Sequence, residues 1–121
     1  MSVSQPVQGS CVVSLSGDLD IDSSTAFSAR VDALTAAAPV QVVVELSSVQ
    51  FIDSSGLNSL VVGARETEHR GGSFVVAAPS QYVARVFDLV RIGESIDIVG
   101  SVDEALASGS AASDQVADSS S

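Results

Sequence analysis

The run Val40–Leu46, VQVVVEL, constrains the fold more than any other stretch of the chain. It is β-branched and nearly continuous, without the polar alternation of a half-exposed strand. Such a run reads as a central strand covered on both faces. The flanking sequence supplies the cover. Before it, Phe27, Val31, Leu34 and Ala38 recur at helical spacing, and Pro39 ends that helix. After it, Leu57, Leu60, Val61 and Ala64 repeat at the same period. That segment gains charge toward Arg65–Arg70 and stops at Gly71-Gly72, a C-terminal signal.

The remaining chain alternates in the same way. Cys11–Leu15 reads as a strand, with Ser16-Gly17-Asp18 as a bend and the strand resuming to Leu19. Asp20–Ser24 is a polar loop rich in cap residues. Ser73–Ala78 is a short strand, and Pro79-Ser80 opens a helix whose apolar face is Val83, Val86, Phe87 and Val90. Ile96–Val99 is a last short strand. Ser101–Leu106 starts with a serine and acids in its first turn, so it reads as a short helix. Residues 107–121 are rich in Ser, Ala and Asp without periodicity and read as a disordered tail. The expectation is one α/β domain over residues 1–106, a small mixed β-sheet packed with about four α-helices, with right-handed crossovers.

Charge narrows the partners. The formal net charge is −10, and all five basic residues are scattered arginines. A phosphate backbone or an anionic membrane surface is repelled on average, which argues against direct nucleic-acid or membrane binding. A basic protein partner is accommodated more easily. Cys11 is the single cysteine, so no intrachain disulfide forms and a reducing compartment fits. The first ten residues lack signal-peptide character, and no apolar run is long enough to span a bilayer. A cytoplasmic protein is expected.

The junction after the central strand, Phe51-Ile52-Asp53-Ser54-Ser55-Gly56-Leu57-Asn58, carries the chemistry. Catalysis by Ser54 or Ser55 needs a base. His69 is the only histidine, and it lies roughly 20 Å along the same predicted helix. One Cys and one His offer no zinc site. The alternating Asp18, Asp20 and Asp22 lack the glycine and bidentate acid of a calcium loop. No Gly-rich phosphate loop is present, which leaves a nucleotide-binding reading weak. The chain is therefore read as a non-enzyme without cofactor or metal. The minimal account is a helix cap: Asp53 or Ser54 accepts from free N–H groups, worth about 1 kcal/mol. Gly56 lowers helix propensity and in return exposes backbone to a close-packing partner. A phosphate on Ser54 would sit at a helix N-terminus that tolerates anions, while changing the surface beside Asp53 from neutral to dianionic.

Leu46–Leu57, with Asp53-Ser54-Ser55-Gly56 at its centre, resembles the signature of STAS domains, specifically bacterial anti-sigma factor antagonists. Ser16-Gly17-Asp18-Leu19-Asp20 is similar to their G-E-L-D turn. The resemblance runs from about Cys11 to Leu106. It implies a protein that, unphosphorylated, binds an anti-sigma factor of the serine-kinase type and so releases a sigma factor. It implies phosphorylation at Ser54, with Ser55 as backup acceptor, and reactivation by a PP2C-type phosphatase. It places Asp20, Asp53, Ser54, Ser55, Gly56 and Asn58 in the partner surface of a stress-response switch in transcription regulation. Asn58 stands where a second glycine is common, Glu45 where Asp is frequent, and Arg91-Ile92-Gly93 replaces a usual Thr/Ser-Gly-Leu. The alternative that the family allows is a non-switching STAS interaction module of a lipid-transport or sensory complex.

Overall fold

The computed structural model describes residues 1–107. Five strands form one sheet in the order β1-β2-β3-β4-β5: Ser2–Ser4, Ser10–Leu19, Gln41–Ile52, Ser73–Ala77 and Asp97–Val99. β1 is antiparallel to β2; the other three pairings are parallel. Three helices, α1 (Ile21–Ala36), α2 (Ser54–His69) and α3 (Gln81–Val90), fill the crossovers. Residues 102–107 form α4.

The order is monotonic, so crossovers of one hand must all lie on the same face of the sheet. That is where they are. Alternate residues Val13, Val42, Val44, Phe74 and Val76 point to one face and pack with Phe27, Val31, Leu60, Ala64, Val83 and Phe87 of the three helices. The interleaved residues Val12, Val43 and Val75 point to the other face, where Ala105, Val102 and Leu106 of α4 meet them. β3 is therefore covered on both sides. Its Val42, Val43, Val44 and Leu46 are all 0% exposed, each contributing roughly 1.5–3 kcal/mol of burial.

The structure departs from the expected elements in several places. β1 is an additional strand: Val3 pairs with Val13 and packs against the core, while Ser2 and Ser4 alternate outward. One apolar residue in three carries too little signal to read as a strand alone. β2 does not break at Ser16-Gly17-Asp18 but runs on to Leu19, and β3 continues past Leu46 to Ile52. Two register shifts, between Ser14 and Ser16 and between Gly17 and Asp18, let β3 gain two residues on β2. Buried positions then pass from Leu46 to Val49 to Ile52, and the two-residue period is lost. Val90 of α3 is exposed and Val86 only half-buried. α4 includes Ala107, one residue beyond the expected domain end; the rest of the expected tail lies outside the described residues.

Arg70 fastens α1 to α2 at their C-terminal ends. Its guanidinium donates to Asp32 Oδ1 at 2.8 Å and to Thr35 Oγ1 at 2.9 Å. The helices start side by side as well, because each follows one of two neighbouring parallel strands.

Candidate functional site

β2 and β3 end in register, with Leu19 opposite Ile52. The next residue of each strand is an aspartate, and each aspartate caps the following helix. Asp20 Oδ1 accepts from the N–H groups of Asp22 and Ser23, both at 3.1 Å, while Ser23 Oγ accepts from the Asp20 N–H at 2.9 Å. This reciprocal capping box satisfies donors that the first turn cannot. Hydrogen bonds from Ser23, first its backbone N–H and then its hydroxyl, lower the Asp20 carboxyl below the ordinary aspartate range.

Asp53 caps α2 through Oδ1, which accepts from the Gly56 N–H at 3.0 Å. The sequence left Asp53 and Ser54 open as the cap; the structure assigns it to Asp53. Ser54 is the first helical residue, and its side chain is exposed. The first backbone bond of the helix runs from Leu57 N–H to Asp53 C=O, so the N–H groups of Ser54 and Ser55 lie at the free, electropositive end. The Asp53 N–H donates to Leu19 C=O at 3.3 Å, which couples the two capped turns. The two sequence motifs, far apart in the chain, are one surface.

Gly56 has a different role from the one expected. It is buried, not open to a partner. A Cβ there would run into the Leu19 carbonyl oxygen and lie 2.8 Å from Ile52 Cγ1 and 2.9 Å from Leu19 Cγ. The close approach is intramolecular: only glycine lets the first turn of α2 settle on the end of β2. Ser55 is half-buried and Asn58 exposed. Both line a groove of about 350 Å³ between α1 and α2, together with Ser24 and Ser59. The rings of Phe51, three residues before Ser54, and Tyr82 stack at 6.4 Å and stay about half exposed.

The remaining departures have structural explanations. Glu45 accepts from the backbone N–H of Ser47 at 3.0 Å and from its hydroxyl, at the first register shift of β3. Arg91 takes a left-handed conformation, φ 57°, as the C-cap of α3; Ile92 turns inward into the core. His69 ends α2, fifteen positions from Ser54 on the same helix. Asp18, Asp20 and Asp22 do not converge, because Asp20 folds back onto its own helix; among the described residues no group of three or more His, Cys, Asp or Glu side chains could hold a metal. No helix among them is long and apolar enough to cross a membrane.

Compared with known proteins, residues 3–100 match the family model described as "Mlab, STAS domain". An anti-sigma factor antagonist from Mycobacterium paratuberculosis is 27% identical, with a TM-score of 0.76 over 89% of this chain and 94% of that one. The anti-sigma factor antagonist SpoIIAA in its unphosphorylated form is 23% identical, with a TM-score of 0.74 over 87% and 91%. Murine Slc26a9, an anion transporter, is 19% identical with a TM-score of 0.75; the similarity covers 88% of this chain and 18% of the transporter. The last two likenesses establish the fold alone. Similar folds thus occur in sigma regulation and within transporters.

Proposed function

This chain belongs to the STAS-domain family, and from that premise we propose that it is an anti-sigma factor antagonist switched by phosphorylation of Ser54. The observation that carries the reading is the position of Ser54: exposed, first in α2, and directly after a cap supplied by a different residue. Because Asp53 does the capping, Ser54 is free to be modified without removing a bond that the fold uses. A phosphate there adds roughly −1.5 to −2 charges beside the free N–H groups of the first turn. The fold tolerates it. A partner docked over Asp20, Asp53 and Ser54 does not, because the surface it meets has gained charge and bulk.

In this reading the unphosphorylated chain binds an anti-sigma serine kinase and a sigma factor is released. The kinase transfers the ATP γ-phosphoryl group to the Ser54 hydroxyl, and the complex separates. A PP2C-type phosphatase hydrolyses the ester and restores the first state. Ser55, half-buried in the α1–α2 groove, is the poorer acceptor. The protein itself supplies no catalytic group, and it works in the cytoplasm. Incubation with an anti-sigma kinase from the same genome and Mg-ATP, followed by peptide mapping, tests this. A single phosphate on Ser54 supports it; none on either serine sinks the switch.

A second reading is a non-switching STAS module of a larger assembly, such as a lipid-transport complex. It is favoured by the description of the matching family model and by the likeness to part of a transporter. Purification from native cells separates the two: a kinase that leaves on adding ATP supports the first, and a membrane permease retained regardless of ATP supports the second.

A further inference from the structure

α3 carries more apolar surface than the core uses. Val83 and Phe87 are buried and turn the helix onto the sheet. Tyr82 and Leu89 lie on its outer flank, 46% and 79% exposed, with half-buried Val86 between them and Val90, 51% exposed, alongside. Positions 82, 86 and 89 stand at offsets of four and seven, so they form one stripe along the helix. Phe51 of β3 extends the stripe, because its half-exposed ring stacks on Tyr82. Exposed apolar residues scattered singly are ordinary. A contiguous row of five marks a surface that something covers.

Charge selects the occupant. The chain as a whole is strongly acidic, yet from Gln81 to Glu94 the arginines Arg85 and Arg91 balance the acids Asp88 and Glu94. The stripe therefore runs through a neutral stretch, where a like copy is repelled least. Arg91 pairs with Glu94 at 3.8 Å. Arg85 and Asp88 are both exposed, and among the described residues neither has an ion-pair partner. They stand three positions apart, on the same side of the stripe. A second α3 packed antiparallel keeps that side in common, so Arg85 of each copy meets Asp88 of the other. One opposite-charge motif then makes two pairs, which is the self-complementarity of a two-fold contact. In the same register Leu89 of each copy falls between Tyr82 and Val86 of the other. Other occupants fit less well. Residues 108–121 hold one large apolar residue, Val116, too little to fill the stripe, and an anionic membrane is repelled by the net charge.

We propose that α3 is a self-association surface, on which a second copy of this chain packs its own α3 antiparallel, with Tyr82, Val86 and Leu89 as the seam and Arg85 and Asp88 pairing across it. The contact is small. A patch of this kind exposes roughly 300–600 Å², against about 800 Å² per partner in a standard stable interface. The dimer is therefore weak and forms only at high local concentration. At physiological ionic strength charges more than about 8 Å apart are largely screened, so the net charge of each copy does not prevent close contact at a neutral patch. The proposal does not rest on phosphorylation of Ser54 or on a kinase partner.

Analytical ultracentrifugation of the full chain, from micromolar to millimolar at physiological salt, tests this. The expected result is a reversible monomer–dimer equilibrium. Leu89→Glu should weaken it at least tenfold. Arg85→Glu and Asp88→Arg each set like charges opposite one another and should each weaken it severalfold. The double variant Arg85→Glu/Asp88→Arg restores both pairs with the signs exchanged, so it should return close to wild-type dimerisation. The two single variants mixed in equal amounts should associate more tightly than either alone. Circular dichroism melts confirm that each variant is folded, and recovery in the double variant separates a lost contact from a damaged helix. A chain that stays monomeric throughout overturns the proposal. So does a dimer indifferent to Leu89→Glu, or a double variant as weak as the singles. A monomer whose Tyr82 and Leu89 NMR signals shift on adding an anti-sigma kinase gives the stripe to that partner instead, and the self-association is refuted while the proposed function stands.

Discussion

Replacing Gly56 by alanine separates packing from partner contact at the motif. The added methyl would meet the Leu19 carbonyl oxygen, with Ile52 Cγ1 at 2.8 Å and Leu19 Cγ at 2.9 Å. Overpacking of this kind costs about 1–3 kcal/mol. The obstacle here is partly backbone, which cannot rotate away, so the upper end, ~3 kcal/mol, applies. Alanine recovers up to ~1 kcal/mol of helix propensity relative to glycine. The net loss is ~2 kcal/mol. With a urea m-value of ~2 kcal/mol/M, typical of small domains, the unfolding midpoint falls by ~1 M. Gly93→Ala is the control: its nearest new contact is Ile98 Cδ1 at 3.9 Å, so its midpoint should not fall. Urea melts followed by far-UV circular dichroism measure both. If Gly56→Ala unfolds at or above the wild-type midpoint, the tight seat of α2 on β2 is not what requires glycine. The reading of Gly56 as a partner-facing position then returns.

Five further outcomes are expected. Ser54→Ala should change stability by less than the ~1 kcal/mol of a lost cap, since Asp53 is the cap, and should still bind the kinase. Ser54→Asp should be at least as stable as Ser54→Ala by thermal melt, yet bind tenfold or more weakly by calorimetry, about 1.4 kcal/mol; equal binding refutes the charge switch. Asp20 has its carboxyl lowered in the folded state by the Ser23 hydrogen bonds, so its stabilising contribution is complete above the ordinary aspartate range and is lost as pH falls through the lowered value. Asp20→Asn, which still caps but does not titrate, should flatten the acid limb of a melting-temperature profile. Ala78 holds a left-handed backbone, φ 52°, so Ala78→Gly should stabilise by ~0.5–1 kcal/mol after glycine's own entropy cost. A chain truncated after Ala107 should keep its melting temperature and its kinase affinity, because residues 108–121 offer little apolar surface to bury.

Wherever local pattern and burial agree, the sequence was sufficient. The valines of β3 announced a strand covered on both sides. The helices at Phe27–Leu34 and Leu57–Ala64 followed from their period, and the ends at Gly71-Gly72 and Ser101 from cap chemistry. The Asp-Ser-Ser-Gly junction was legible as a helix start, because caps are local bonds between near neighbours. Three things were not legible. The bulges that carry β3 on to Ile52 break the two-residue period, so a strand is present where its pattern is lost. The burial of Gly56 depends on the Leu19 carbonyl, which only the pairing of β2 with β3 brings near. The groove between α1 and α2 arises from two polar stripes, each of which alone reads as a solvated helix face. Sequence thus determined the elements and their caps, through forces acting over a few residues. Tertiary structure decided which capped ends stand together and what lies between them, because strand register and helix packing join residues tens of positions apart.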